Sequence, residues 1–174
     1  MPRQRKPPVQ LAAHRALAVL LIHMQKKFVS NLAKTTAPRL IRAQKRLIRA
    51  CAEKDVPLVI VEYARRGPTI EALQEEIKKV PRVHRIKGRH DDGFQDSALH
   101  ETLQTLGATE LLLMGINASS CVLDTATTAI DIHMYKVVTV GELLADWKGH
   151  ADFRKSFFLY RDMGAEFHSR LELT

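Results

Sequence analysis

Cys121 is the residue of this 174-residue chain whose setting most favours chemistry. It follows the apolar run Leu111-Leu112-Leu113-Met114, which ends in Gly115 and a small polar turn. It then opens a segment in which Val122, Ala126, Ala129 and Ile130 recur at helical spacing. An apolar run without alternation suits a strand covered on both faces of a parallel sheet, and the helix after it is the crossover such a sheet requires. A cysteine at that junction lies among unpaired backbone N–H groups at the positive end of a helix dipole, where a thiolate is expected to be stabilised. The competing reading is a buried structural cysteine, because Ser119 or Ser120 would cap the helix in either case.

The elements that must position Cys121 alternate along the chain. Ala16 to Ile22 reads as a buried first strand, with His23 to Phe28 as the loop at its carboxyl end. From Pro38 to Lys54 the residues Leu40, Ile41, Leu47, Ile48 and Cys51 form one helical stripe, and Arg39, Arg42, Arg46 and Arg49 the opposite, solvated one. Leu58 to Val61 is a second strand ending at Glu62-Tyr63, Ile70 to Lys79 a shorter helix, and Val83 to Ile86 a third strand with Lys87-Gly88 as its exit. Phe94 to Leu106 predicts a helix that Gly107 closes. After the central strand, turn and helix, Lys136 to Val140 reads as a fifth strand, Asp152 to Met163 as a last helix and Ala165 to His168 as a short last strand. Strands alternating with helices on short links predict a three-layer α/β/α domain.

Ligands of such sheets sit beyond the carboxyl ends of the strands. That rule gathers His23 and Gln25, Glu62, Lys87, and Asn117 to Cys121 into one candidate site. A thiol, an imidazole, an ammonium and a carboxylate in one cleft suit nucleophilic attack on a carbonyl with a base shuttling the proton. Asp124 and Thr125 follow Cys121 on the helix and are expected to pack or cap.

Composition bounds the alternatives. With 45% hydrophobic residues the chain can bury one substantial core, so residues 15–174 are expected to form a single domain behind a flexible basic tail, 1–14. Cys51 and Cys121 have neither paired nor metal-ligand spacing, which points to a reducing, cytoplasmic setting. The formal charge of +8 is spread along the chain without an aromatic-rich or glycine-rich RNA motif, so it reads as a solvated surface and no nucleic-acid partner is expected. The apolar run after Arg15 is too short for a signal sequence, and no run is long enough to span a bilayer; no membrane association is expected.

Three segments together resemble a known family. LLIHMQKKF resembles the LLVIDMQ-x-x-F opening of isochorismatase-like cysteine hydrolases; IKGRHDDGFQDSALHETL resembles their K…F…T-x-L segment; GINASSCVLDTATTAI resembles their nucleophile turn, G-V-x-x-x-x-CV-x-x-TA-x-x-A. The likeness runs from Ala16 to about Phe167. It implies a six-stranded, mostly parallel, Rossmann-like sheet and an Asp, Lys and Cys triad, as in the nicotinamidase and N-carbamoylsarcosine amidohydrolase branch. Carried over by position, Cys121 is the nucleophile and Lys87 the lysine. A cis peptide is expected near Asn117-Ala118, with the N–H groups of Ala118 and Cys121 as the oxyanion hole. Gln25, Phe28, Glu62 and Asn117 are expected to line the substrate pocket.

The departure is at the acid, where this chain has His23. Losing a general base costs on the order of 10² to 10⁴ in rate, yet a neutral imidazole can perform the same transfer. Lys87 is expected to favour the thiolate and to hold His23 neutral. Glu62 is a further candidate, either as substitute acid or as orienter of His23. The zinc-binding members of the family carry Asp and His after the second strand, but YARRGPT here has neither, so no metal and no cofactor are expected. The expected function is cleavage of a small-molecule amide or related C–N bond through a Cys121 acyl intermediate; the alternative is a catalytically impaired binding or assembly protein. The resemblance further suggests a homo-oligomer, dimer or tetramer, with Leu143 to His150 around Trp147 as a contact or lid.

Overall fold

The computed structural model describes residues 16–148, 153–168, 170, 171 and 173, so the expected basic tail and the end of the Leu143–His150 segment lie outside the described residues. The element order is β1 (Leu17–Ile22), α1 (Lys26–Val29), α2 (Thr36–Glu53), β2 (Leu58–Tyr63), α3 (Glu71–Ile77), β3 (Val83–Gly88), α4 (Leu99–Thr105), β4 (Glu110–Ile116), α5 (Cys121–Asp131), β5 (Lys136–Ala145), α6 (Phe153–Asp162) and β6 (Glu166–His168). The strands form one six-stranded sheet in the order β3-β2-β1-β4-β5-β6, and every pairing is parallel. β1 and most of β2 and β4 are buried along their length, as their unalternating apolar sequences require.

Alternate residues of each strand feed two cores. Val19, Leu21, Ile60, Leu112 and Met114 pack with Leu47, Ile48 and Cys51 of α2 on one face. On the other face Leu20, Ile22, Val61, Leu111 and Leu113 pack with Val122, Ala126 and Ala129 of α5. The chain runs outward in opposite directions from β1 and β4, so the crevice between their carboxyl ends is the topological switch point where open α/β sheets bind ligands.

That crevice is narrow for a steric reason. Gly115 at φ +146 faces Ile22 of β1, and a Cβ there would lie 2.1 Å from the Ile22 carbonyl oxygen. Only glycine lets the strands meet at this point.

α1 is a short helix where the sequence reading has a loop, and the bounds of three other elements shift for identifiable reasons. β3 continues through Lys87 and Gly88, because both keep register with Glu62 and Tyr63 of β2. α4 starts at Leu99 instead of Phe94: Asp92 Oδ1 accepts the Phe94 N–H at 2.9 Å and the Ser97 hydroxyl accepts that of Leu99 at 3.1 Å, holding the chain in turns. β5 runs on to Ala145, because after a register shift its residues Leu144 and Ala145 pair with Gly115 and Ile116.

Candidate active site

The turn between β4 and α5 is held from every side. Asn117 O accepts the N–H groups of Ser120 at 3.3 Å and Val122 at 2.9 Å. Tyr160 OH donates to Ala118 O at 2.6 Å, and Asp146 Oδ1 accepts both the N–H and the hydroxyl of Ser119 at 2.9 Å. Trp147 N–H reaches Asn117 Oδ1 at 3.2 Å. This bracing delivers Cys121, 2% exposed, to the first position of α5.

The Ile116–Asn117 peptide is cis, one residue before the expected place. The expectation for Ala118 also needs correction. Its N–H donates to Ala145 O at 3.0 Å and is therefore committed to the sheet, whereas the Asn117 N–H points at Cys121 Sγ. The Cys121 N–H is a first-turn donor, of the kind a helix leaves without an intrahelical acceptor.

The thiol is not poised as a thiolate, contrary to expectation. Burial is the main cause that pushes its pKa up. The Asn117 N–H and the Ser120 hydroxyl, whose Oγ is 3.6 Å from Sγ, pull it down, and the carboxylate of Asp91 pushes it up again. Cys51 is more deeply inert, with burial raising its thiol to about 12.

His23 lies across the switch point from Cys121, on the far side of the β1–β4 seam. It is 1% exposed and adopts φ +53, a left-handed conformation in which Asp, Asn and His are the least disfavoured side-chain-bearing residues. Its ring stacks on Phe28 with centroids 5.3 Å apart and meets Tyr63 edge-on at 5.5 Å. Burial lowers its pKa to about 4, partly offset by the charge of Asp91. Burial, not Lys87, is thus what favours the neutral imidazole. Nδ1 is buried and finds no partner among the described residues.

The other anticipated residues separate into scaffold and wall. Gln25 is fully buried; its Nε2 donates to Tyr63 O and Gly67 O, and its Oε1 accepts the Tyr63 N–H at 2.8 Å, so every polar atom is consumed in clamping the β2 exit. Glu62 is likewise occupied: one carboxylate oxygen accepts the N–H and hydroxyl of Thr69 at 2.8 and 2.9 Å and faces Arg85 at 3.1 Å. It fixes the loop before α3. Phe28 is the wall between His23 and Trp147, whose ring stacks on it at 5.8 Å. Lys87 is exposed at the end of edge strand β3, on the sheet face of Glu62.

Asp91 is the residue that the sequence reading passed over. It acts on Cys121, His23 and Asp124 from the loop after β3, and that loop is tied to α5. Thr125 Oγ1 accepts the Gly93 N–H at 2.9 Å while donating to Cys121 O at 2.7 Å, and Thr128 donates to Asp92 at 2.6 Å. Thr125 thus joins the Cys121 carbonyl to the Asp91 loop. The acidic pair ahead of Gly93-Phe94, in a strand-exit loop, was the available signal. Chemically, the crevice offers a protonated thiol, a carboxylate beside it and backbone N–H groups around it.

Comparisons with known proteins agree with this architecture. A family profile described as the isochorismatase domain matches residues 17–170. Streptothricin hydrolase of Streptomyces noursei is 28% identical over 123 residues, which is 66% of this chain and 45% of the relative. The chain thus spans about half the length of the curated relatives it matches. Among solved structures, the MAR1 ribonuclease of Caenorhabditis elegans superposes with a TM-score of 0.78 at 22% identity, covering 95% of this chain and 80% of that one. The nicotinamidase of Staphylococcus aureus superposes with a TM-score of 0.75 at 19% identity, covering 87% and 98%. At these identities the structural likeness is one of fold.

Proposed function

The chain belongs to the isochorismatase family, and we propose that it is a cysteine hydrolase cleaving an amide or related C–N bond of a small molecule, with Asp91 in place of the family's aspartate. The observation that carries this reading is the loop after β3, tied to α5 through Gly93–Thr125 and Asp92–Thr128, which brings the Asp91 charge to bear on the Cys121 thiol. A buried thiol whose pKa is raised needs a base at the moment of attack, and a carboxylate whose charge already acts on it is a candidate for that role.

In this mechanism Asp91 takes the thiol proton as Cys121 Sγ attacks the amide carbonyl. The oxyanion settles on the N–H groups of Asn117 and Cys121, a contribution of about 3 kcal/mol per donor in comparable acyl-transfer sites. Collapse breaks the C–N bond, with Asp91 returning its proton to the departing nitrogen and leaving a thioester on Cys121. Asp91 then deprotonates a water that attacks the thioester carbonyl, and passes that proton back to sulfur as the acid is released. His23, neutral and walled by Phe28 and Tyr63, shapes the pocket and offers Nδ1 to a substrate hydrogen bond. Lys87 keeps the role that the resemblance gives it, a positive charge at the strand exit that balances the carboxylates at the mouth. Exposed Ile132 and Met134 at the end of α5 support self-association, which light scattering at micromolar concentration tests.

A panel of small amides assayed with the unmodified chain and with Cys121→Ala tests the reading. Turnover should fall at least about 10³-fold in the variant. Activity that survives the substitution removes the acyl intermediate. The raised thiol pKa favours one second reading, an impaired member of the family that binds or assembles. Amide turnover by the unmodified chain counts against it.

A further inference from the structure

A cavity of about 390 Å³ lies on the outer side of Tyr63, lined by Tyr63, Ala64, Arg65, Arg66 and Arg89. Three of its five lining residues are arginines, and none is acidic. Three other arginines have carboxylate partners: Arg49 pairs with Glu76, Arg82 with Asp55 and Arg85 with Glu62. Arg65, Arg66 and Arg89 have none among the described residues, even though Asp91 and Asp92 follow Arg89 in the same loop. Three exposed arginines thus border one concave space that has no acidic lining residue, and an anion held there would interact favourably with all three.

The arrangement is also held in place. Arg65 and Arg66 lie on the turn that buried Gln25 clamps through Tyr63 O, Tyr63 N and Gly67 O. The Ala64 N–H donates to Gly88 O at 2.7 Å, tying this turn to the β3 exit that carries Arg89. Arg66 lies 5.8 Å from the Tyr63 ring centroid, in cation–π range. The cavity borders the candidate active site: the other edge of Tyr63 meets His23, and Asp91 beside Cys121 stands two residues from Arg89.

We propose that Arg65, Arg66 and Arg89 form a subsite for an oxyanion, so that the substrate is a small amide carrying a carboxylate or phosphate at the end remote from the scissile bond. The assignment rests on the hydrolase reading for its amide, but the anion subsite can be tested without turnover. Planar guanidinium forks bind both kinds of oxyanion in two-point fashion, and a cavity of this size holds the charged group with a few carbons attached.

The test titrates inorganic phosphate and, separately, succinate into the full chain at about 0.15 M salt, following the arginine Nε–Hε signals by NMR. Saturable binding is expected for at least one probe, with Kd of order 1–10 mM. It should weaken about tenfold or more in Arg66→Gln and in Arg89→Gln, and persist in Cys121→Ala and in Arg42→Gln on α2. Phosphate alone binding assigns a phosphate; succinate alone assigns a carboxylate. Thermal unfolding of the arginine variants checks that they fold, and Arg89→Lys, which keeps the charge but loses the fork, should recover part of the affinity. The absence of saturation for both probes overturns the subsite, as does binding indifferent to Arg66 and Arg89 or lost equally in Arg42→Gln. Failure of the hydrolase reading shows elsewhere, as amide turnover that survives Cys121→Ala.

Discussion

The two strand exits that face each other across the switch point are built in opposite ways. At the β4 exit nearly every polar group from Asn117 to Ser120 has a partner, and Cys121 is presented by a turn that cannot shift without breaking bonds to Ala145, Asp146, Trp147 and Tyr160. At the β1 exit a neutral imidazole sits among aromatic rings, with Nδ1 unsatisfied among the described residues. The scaffold around Cys121 is complete, while the position opposite carries no charge. A carboxylate does act on the crevice, but from the loop after β3, anchored by Thr125 and Thr128 of the helix that Cys121 opens. On the proposed mechanism, the base is thus supplied from a different strand by a loop tied to the helix of Cys121.

Exchanging the carboxylate between the two sides would break this comparison most sharply. Asp91→Asn should lower amide turnover by about 10² to 10³, and His23→Ala by much less. Adding His23→Asp to Asp91→Asn should restore a large part of the rate, by returning the carboxylate to the β1 exit. Steady-state kinetics on the four proteins decide it. A larger loss in His23→Ala than in Asp91→Asn would return the base to His23.

Stability against pH separates the exits next. His23 has a pKa of about 4 when folded against about 6.5 when free, so between those values the unfolded chain binds a proton that the native chain refuses. The stabilisation is complete above about pH 6.5 and is lost as pH falls toward 4, a swing of about 3 kcal/mol from this one residue. Urea unfolding from pH 4 to 7 should show that slope in the unmodified chain and lose most of it in His23→Phe.

The thiol gives a smaller effect. Iodoacetamide alkylation of Cys121 in a Cys51→Ser background should rise only above the ordinary thiol value of about 8.5, and Asp91→Asn should move the midpoint downward, since a negative charge beside a thiolate raises its pKa. A midpoint well below the ordinary value would mean that the helix terminus outweighs burial. The smallest change belongs to Glu62→Gln, which weakens the half-exposed pair with Arg85 and should cost about 1 kcal/mol in urea unfolding while leaving turnover within about twofold. A hundredfold loss of turnover would instead make Glu62 the acid.

Much of the frame was legible in the sequence because burial writes itself as pattern. Leu17 to Ile22 and Leu111 to Met114 are apolar without alternation, and they became the central strands. Cys121 was found from the strand, turn and helix around it. Asp91 was not, because a polar loop has no period, and its path is set by hydrogen bonds to Thr125 and Thr128, residues more than thirty positions away. Ala118 was assigned an amide that the sheet had already taken, through an extension of β5 that the polar residues Gly141 and Glu142 concealed. Glu62 was correctly placed at a strand end, but its partners Thr69 and Arg85 belong to other elements and show only in three dimensions.

Gln25 has a consequence for how the chain meets a protease. Arg65-Arg66 is an exposed dibasic pair, the kind of sequence trypsin seeks, on a turn at the surface. Cleavage requires several residues around the bond to be drawn out into an extended segment. Here one buried amide grips the turn at Tyr63 and Gly67, on either side of the pair. Those bonds must open before the pair can thread into an active site, so nicking proceeds at the rate set by local opening. Replacing Gln25 with alanine would turn a protected surface into the first site cut.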